Sequence, residues 1–322
     1  MAGKDPETLA CEMLNAIRSG HGRTKQVQLG QIDHNKLFLP AEYSQLFYSP
    51  IWRDLEPRHQ LRYSQLYALR TNEVVVLFER YLVHAILPPI VKRLVKSGYP
   101  VLSELVSEML REEEEHDAAF VALNKASRPD LYADKDFCFF PPSVEIRGFI
   151  KSMGLAARWL AHPLWLLFFI EESSLAMARD LGKADADEPL GAAEPNWLAV
   201  HQEHTHDERR HTLVDRLVYD TCFASRGRHA RTLDARLFVL ILKAMMYPRA
   251  TGAGMRVVDQ LILDYPELMP MRPRFAKEIV ALRHNPEFLA SLLSSRLAPR
   301  AWKLFHRCPE LDALAGWLPD YA

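Results

Sequence analysis

Between Asn196 and Val218 the chain reads NWLAVHQEHTHDERRHTLVDRLV. At helical spacing His204, Glu208 and His211 stand at i, i+4 and i+7, so two imidazoles and a carboxylate share one helix face. A second stretch, LSEMLREEEEHDAAF, holds Glu113 and His116 as another Glu-x-x-His pair. Single carboxylates inside strongly apolar runs complete the set: Glu79, and one of the adjacent Glu171 and Glu172. Two Glu-x-x-His helices and two helices with a lone Glu are the donor set of a four-helix di-iron or di-manganese carboxylate centre. The His-Glu-x-x-His pattern of zinc proteases is not supplied by HQEHTH or HDERRH.

The surroundings of these residues argue against simple surface charge. Glu79 shares its face with Val75, Val76, Leu82, Val83 and Ile86, and an unpaired carboxylate in such a stripe is strongly unfavourable. A buried ion pair or a protonated carboxyl would relieve it equally well. Glu113 has Val106, Met109, Leu110 and Phe120 on its face, although a bare EEEEH run also suits a solvated acidic surface. Trp197, Val200 and His201 lead into His204, and Val214 and Val218 continue beyond His211. Periodicity leaves the third helix open: Glu171 faces with Leu167, Leu175 and Ala178, and Glu172 with Phe168, Phe169, Leu175, Ala176 and Arg179. Asp207 and Glu112, each just before a candidate ligand, could take an N–H from a histidine of the opposite helix or could be solvated charges.

The elements needed to position these groups are helices. One starts at Pro57 and is expected to stop at Pro88-Pro89; the next ends near Ser127. An aromatic-rich loop, DLYADKDFCFFPPS, should pack onto something. A third helix is expected from Val144 to Leu181, bent at Pro163, followed by the breaker-rich GKADADEPLGAAEP and then the helix of the opening stretch. Further amphipathic helices are expected over Thr232–Met246, Gly254–Asp264 and Arg274–Phe305, the last broken near Pro286 and Pro299. No segment alternates as a strand, so the expected fold is all-α. One domain is expected: an N-terminal arm (1–50), a metal-binding bundle (51–218) and supporting C-terminal helices (219–322).

Composition narrows the function. A net charge of -1 gives no basic field for nucleic acid. Four dispersed cysteines without a Cys-x-x-Cys pair argue against structural zinc and a disulfide scaffold. The N-terminus lacks a signal-peptide pattern, and the apolar run ending at Ile170 is too short to span a bilayer, so no membrane partner and a cytoplasmic location are expected. No Gly-rich nucleotide or flavin loop occurs, so any electrons must come from an external donor.

From about Leu55 to Val218 the chain resembles the non-haem di-iron arylamine N-oxygenases, the family of p-aminobenzoate N-oxygenase. The resemblance rests on EPRHQLRYSQLYALRTNEVVVLFE, with Asn72-Glu73 before Glu79, on Glu113-x-x-His116, on the Glu-Ser after Phe169-Ile170, and on His204-x-x-x-Glu208-x-x-His211. His204 is the extra histidine that marks this family among ferritin-like di-iron proteins. The resemblance implies a ferritin-like or ribonucleotide-reductase-like four-helix core holding two iron ions. Glu79, Glu113 and His116 would hold one iron, Glu172, His204 and His211 the other, with Glu113 and Glu208 bridging. The Glu-Ser pairing selects Glu172 over Glu171. The implied activity is O2-dependent oxygenation of a primary aryl or alkyl amine to a hydroxylamine, nitroso or nitro product. O2 is then co-substrate, a reductase or ferredoxin-type protein supplies electrons, and a homodimer is the expected assembly. Val75, Val76, Phe120, Phe168 and Phe169 are the expected pocket walls. A carbon hydroxylase or desaturase on the same scaffold, and a ferritin-like iron store, are the competing readings. A radical-generating reductase subunit would want a tyrosine four residues after His116, where this chain has Phe120.

Overall fold

The computed structural model describes residues 5–20, 25–184, 190–318 and 321, so parts of the N-terminal arm and the centre of the breaker-rich connector lie outside the described residues. Among these residues there is no strand, only a single bridge between Leu37 and Ala193, and the fold is all-α. The helices are α1 (Pro6–Arg18), α2 (Pro57–Leu77), a π-helical segment (Phe78–Val83), α3 (His84–Lys96), α4 (Pro100–Ser127), α5 (Pro129–Tyr132), α6 (Val144–Ala156), α7 (His162–Leu181), α8 (Pro195–Cys222), α9 (Arg228–Met246), α10 (Ala253–Asp264), α11 (Arg272–Ala281), α12 (Pro286–Leu292) and α13 (Pro299–Phe305). Prolines open most of the long ones, where a fixed φ suits the first turn and the missing N–H is not needed.

Several of these proline-led helices lack a capping side chain of their own and borrow a distant carboxylate. Glu7 of α1 accepts from the Val101 and Leu102 amides at the start of α4, at 3.0 and 2.9 Å. Asp234 of α9 accepts from the Ala161 and His162 amides at the start of α7, at 2.8 and 3.1 Å. Each acceptor satisfies donors that a helix end leaves without a partner, and a negative charge there suits the helix dipole.

Three boundaries depart from the sequence expectations. The expected arm contains α1, capped by Asp5 onto the Thr8 amide and burying Ala10, Leu14 and Ile17. Pro88 and Pro89 do not stop the first long helix, which continues through the π-helical segment to Lys96. Pro89 leaves the Ala85 carbonyl without its helical donor, and α6 closes on that carbonyl at Gly154, where a Cβ would come within 2.6 Å of it. The Val144–Leu181 helix is two helices, because Pro163 sits in the first turn of α7 and the break falls upstream at 157–161. The expected breaks near Pro286 and Pro299 are present.

The long helices pack in the order α2, α4, α8, α7, with α8 lying along α7; α1 and α3 cover α4, α10 lies on α2, and α9 and α13 lie on α7. Beside a small apolar cluster of Leu282, Phe288 and Leu289, two large ones form. One takes Leu102–Met109 of α4, Leu164–Phe169 of α7 and Val214–Cys222 of α8; the other takes much of α2 with Phe120, Met177, Trp197 and Val200. Each fully buried side chain of that size contributes about 1.5–3 kcal/mol. The glutamates and histidines of α4, α7 and α8 fall between the two clusters, which supply the framework for a buried polar layer. By length and composition the stretch Pro57–Lys96 could cross a membrane, and half of its apolar window is buried within the protein.

Candidate metal centre

Glu79, Glu113, His116, His204, Glu208 and His211 converge in that polar layer, and all are buried. Glu208 is the hub: its Oε1 lies 3.1 Å from His204 Nε2, 3.1 Å from His211 Nδ1 and 3.6 Å from His116 Nδ1. Glu113 reaches His211 Nδ1 at 3.2 Å and His116 Nδ1 at 3.4 Å, and Glu79 reaches His204 Nε2 at 3.1 Å. Two donor sets that share His116 result, Glu113-His116-Glu208-His211 and Glu79-His116-His204, each with its donor atoms within 4.8 Å of one another, so His204 groups with Glu79 rather than with His211 as the resemblance implied.

The separations suit a cation. Two donors at right angles on one ion, with bonds of about 2.1 Å, stand about 3 Å apart. The charges suit it as well. Burial alone would strip His116 of its proton, but Asp207 and Glu113 reverse this and raise its pKa to about 10. Burial is likewise overridden by Glu208 at His204, raised to about 9, and by Glu113 and Glu208 at His211, held well above its usual value. The same field that retains protons on three clustered imidazoles would draw in a divalent ion. Glu79, by contrast, is pushed up to about 7 mainly by burial, as expected for a carboxyl lacking a full counter-charge.

A π-helical turn carries Glu79. Its wider winding is a recurrent feature of functional sites, and here the Glu79 carbonyl meets His84 Nδ1 at 2.8 Å. Nothing in the local apolar pattern signals this change of winding.

The outer ring nitrogens are held reciprocally. Asp207 of α8 meets His116 Nε2 of α4 at 3.1 Å, and Glu112 of α4 meets His211 Nε2 of α8 at 3.0 Å. Arg210 bridges the two carboxylates at 2.6 and 2.7 Å. Asp207 and Glu112 are therefore buried partners rather than solvated charges. Each leaves the Nδ1 of its histidine facing inward.

Glu172 is a correction. Its carboxylate accepts from the Arg300 amide at 2.8 Å and the Ala301 amide at 2.7 Å, capping α13, and so turns away from the cluster. Glu171 instead borders the space also lined by Glu79, Glu113, His204 and Glu208, outside both donor sets. Glu171 pairs with the buried Asp215 carboxyl, and among the described residues no N–H or hydroxyl donates to it. Burial, then the charges of Asp215 and Glu208, hold its pKa well above the carboxylate range. The amides that engage Glu172 come from a segment 129 residues downstream (301 − 172 = 129), so nothing local to the third helix announces them. Asp215 is a buried carboxylate missed in the sequence, although 204, 208, 211 and 215 form one stripe at i, i+4, i+7 and i+11.

No family model and no curated protein matches the chain.

Above the cluster, between the α2 and α7 sides, lies a cavity of about 240 Å³. Glu79, Glu113, Glu171, His204 and Glu208 line one side, and Val74, Val75, Val83, Leu167, Phe169, Ile170 and Met177 make an apolar wall. Of the expected walls, Val75 and Phe169 are present. Val76 and Phe168 are packed into the two cores instead, and Phe120 lies against His204 and His201 at ring distances of 5.0 and 5.2 Å. The C-terminal region, expected only to support, supplies Phe288, Ser291, Leu292 and Leu297. The aromatic-rich loop packs as expected, and its anchor is Glu73: the amides of Cys138 and Phe139 donate to it at 2.7 and 2.8 Å, as does the Tyr132 hydroxyl at 2.5 Å.

Proposed function

We propose that the protein is an O2-dependent non-haem di-iron oxygenase that N-oxygenates a primary amine, built on a ferritin-like four-helix core. One observation carries the proposal: a third histidine, His204, one turn before Glu208, converges with both Glu-x-x-His pairs and with Glu79 beneath an apolar cavity. Glu79, Glu113, His116, Glu171, His204, Glu208 and His211 are the residues that would hold the metal. Two iron ions bound there would supply the activation of O2, from which the oxygen delivered to nitrogen would come.

The chain's own contribution is positioning and the lining of the cavity. Asp207 and Glu112 fix the tautomers of His116 and His211, so that both Nδ1 atoms present lone pairs inward. The valine, leucine and phenylalanine wall suits an uncharged ring or chain, and Arg70 and Glu42 stand on the same lining. An arylamine, neutral at physiological pH, enters this lining without the desolvation cost of an ammonium group. The closing carboxylates, Glu79 and Glu171, sit on the cavity side, where an amine nitrogen would meet them. Electrons come from an external single-electron donor.

The test is a turnover assay. The protein is loaded anaerobically with ferrous iron, given a reductant, O2 and a panel of aryl and alkyl amines, and the products are weighed by mass spectrometry. Oxygen found on nitrogen supports the proposal. Oxygen found only on carbon would make the chain a hydroxylase, and accumulation of many irons without amine turnover would make it an iron store.

A further inference from the structure

The candidate metal centre is joined to the surface by an unbroken line of rings. From His204 the line passes to Phe120 at 5.0 Å, to His201 at 5.2 Å, and to Trp197, whose ring lies 5.8 Å from His201 and 26° from parallel. Trp197 stacks on Phe38 at 4.7 Å and 11°, and Phe38 meets His34 at 5.9 Å. Phe120, His201, Trp197 and Phe38 are buried, whereas His34 is exposed and lines a shallow depression with Arg62, Arg128 and Tyr265.

We propose that this ladder carries single electrons between the surface at His34 and the His204 side of the metal site. The receiving end rests on the di-iron reading above; the ladder itself rests on the rings. Trp197 is its one readily oxidised member. It lies seven residues from His204 on the same helix, an axial distance of about 10 Å, and the other rings fill the gaps on both sides. Were iron bound there and oxidised by O2 with no amine to consume the equivalent, one electron would leave the Trp197 indole for the oxidised iron. The resulting radical cation keeps its proton, because the indole N–H donates to the Ser127 hydroxyl at 3.0 Å and that hydroxyl already donates to the Leu123 carbonyl at 2.7 Å, so no base stands ready. A one-electron reductant at the surface, of the class of ascorbate, then returns an electron through His34 and Phe38. The net change is one electron moved from reductant to site, with no bond made or broken in the ladder. Burial keeps His201 uncharged, so it does not oppose a positive charge on Trp197.

The experiment places a ruthenium polypyridyl photo-oxidant on the exposed His34 ring of the full chain and follows radicals by transient absorption after a flash. In metal-free protein a tryptophan radical cation should form, should be lost in Trp197→Phe, and should be slowed in Phe38→Leu, with circular dichroism confirming that both variants fold. The same label on exposed His229, beside the other apolar cluster, should not oxidise Trp197. Loading with ferrous iron should shorten the radical's lifetime, and loading with redox-inert zinc should not. A signal that survives Trp197→Phe, or a lifetime indifferent to bound iron, would overturn the proposal. If iron does not bind at all, the di-iron reading fails and the ladder's inner terminus falls with it, while the metal-free arms still decide whether holes travel from His34 to Trp197.

Discussion

Asp207 holds the outer ring nitrogen of His116 from across the α4–α8 interface, at 3.1 Å, with both groups buried. Glu112 does the same for His211 in the opposite direction, at 3.0 Å. Each helix therefore orients the inward-facing ring of the other. Asp207→Asn and Glu112→Gln should preserve the helical fold and weaken metal binding by about 10–100-fold. Isothermal titration with a divalent ion checks this; unchanged affinity in both variants would mean that the rings are oriented by packing alone.

The neighbours Glu171 and Glu172 should separate cleanly by substitution. Glu171→Ala should lose metal with little loss of stability, since among the described residues it takes no N–H or hydroxyl donor and its removal relieves Asp215 of a facing buried carboxyl. Glu172→Ala should keep its metal and melt earlier, because a lost helix cap costs about 0.5–2 kcal/mol. Thermal melts paired with metal analysis read both quantities; metal loss confined to the Glu172 variant would reverse the assignment.

Stability of the metal-free protein should fall as pH rises from about neutral into the alkaline range. His116 and His204 have pKa values raised to about 10 and about 9 from 6.5. Groups raised in the folded state contribute stability that is full below the unfolded pKa and lost as pH passes the folded one. A bound metal replaces those protons, so the loaded protein should lack this decline, and metal binding should release protons and tighten with pH over the same range. Denaturant melts of both forms at a series of pH values test the sign. A metal-free protein that gains stability on going alkaline would contradict it.

Gly154→Ala should destabilise the protein by about 1–3 kcal/mol, the usual scale for overpacking, since its Cβ would meet the Ala85 carbonyl at 2.6 Å. Ala85 lies just beyond the π-helical segment that carries Glu79, so metal affinity should fall as well. A chemical melt and a metal titration on the same variant read the two effects.

Much of this arrangement is local enough to be legible in the sequence. The i, i+4, i+7 stripe of His204, Glu208 and His211, and the Glu113-x-x-His116 pair, follow from helical period and apolar surroundings. The rest depends on contacts between distant segments. Glu172, Asp234 and Glu7 cap helices that begin far away in the chain, and no spacing rule announces which carboxylate is taken by amides and which is left for a site. The π-helical turn at Glu79 is similarly silent, since it preserves the apolar run while rewinding the backbone. Asp215 is legible too, standing on the same stripe four residues after His211.

The central claim is a dinuclear iron site, and metal stoichiometry tests it most directly. Metal-free protein is equilibrated anaerobically with excess ferrous iron, freed of unbound metal and assayed for iron per chain, alongside His204→Ala and Glu171→Ala. About two irons per chain in the unsubstituted protein, with less in both variants, is the result this account predicts. A single zinc retained in preference to iron, or no bound metal at all, would contradict it.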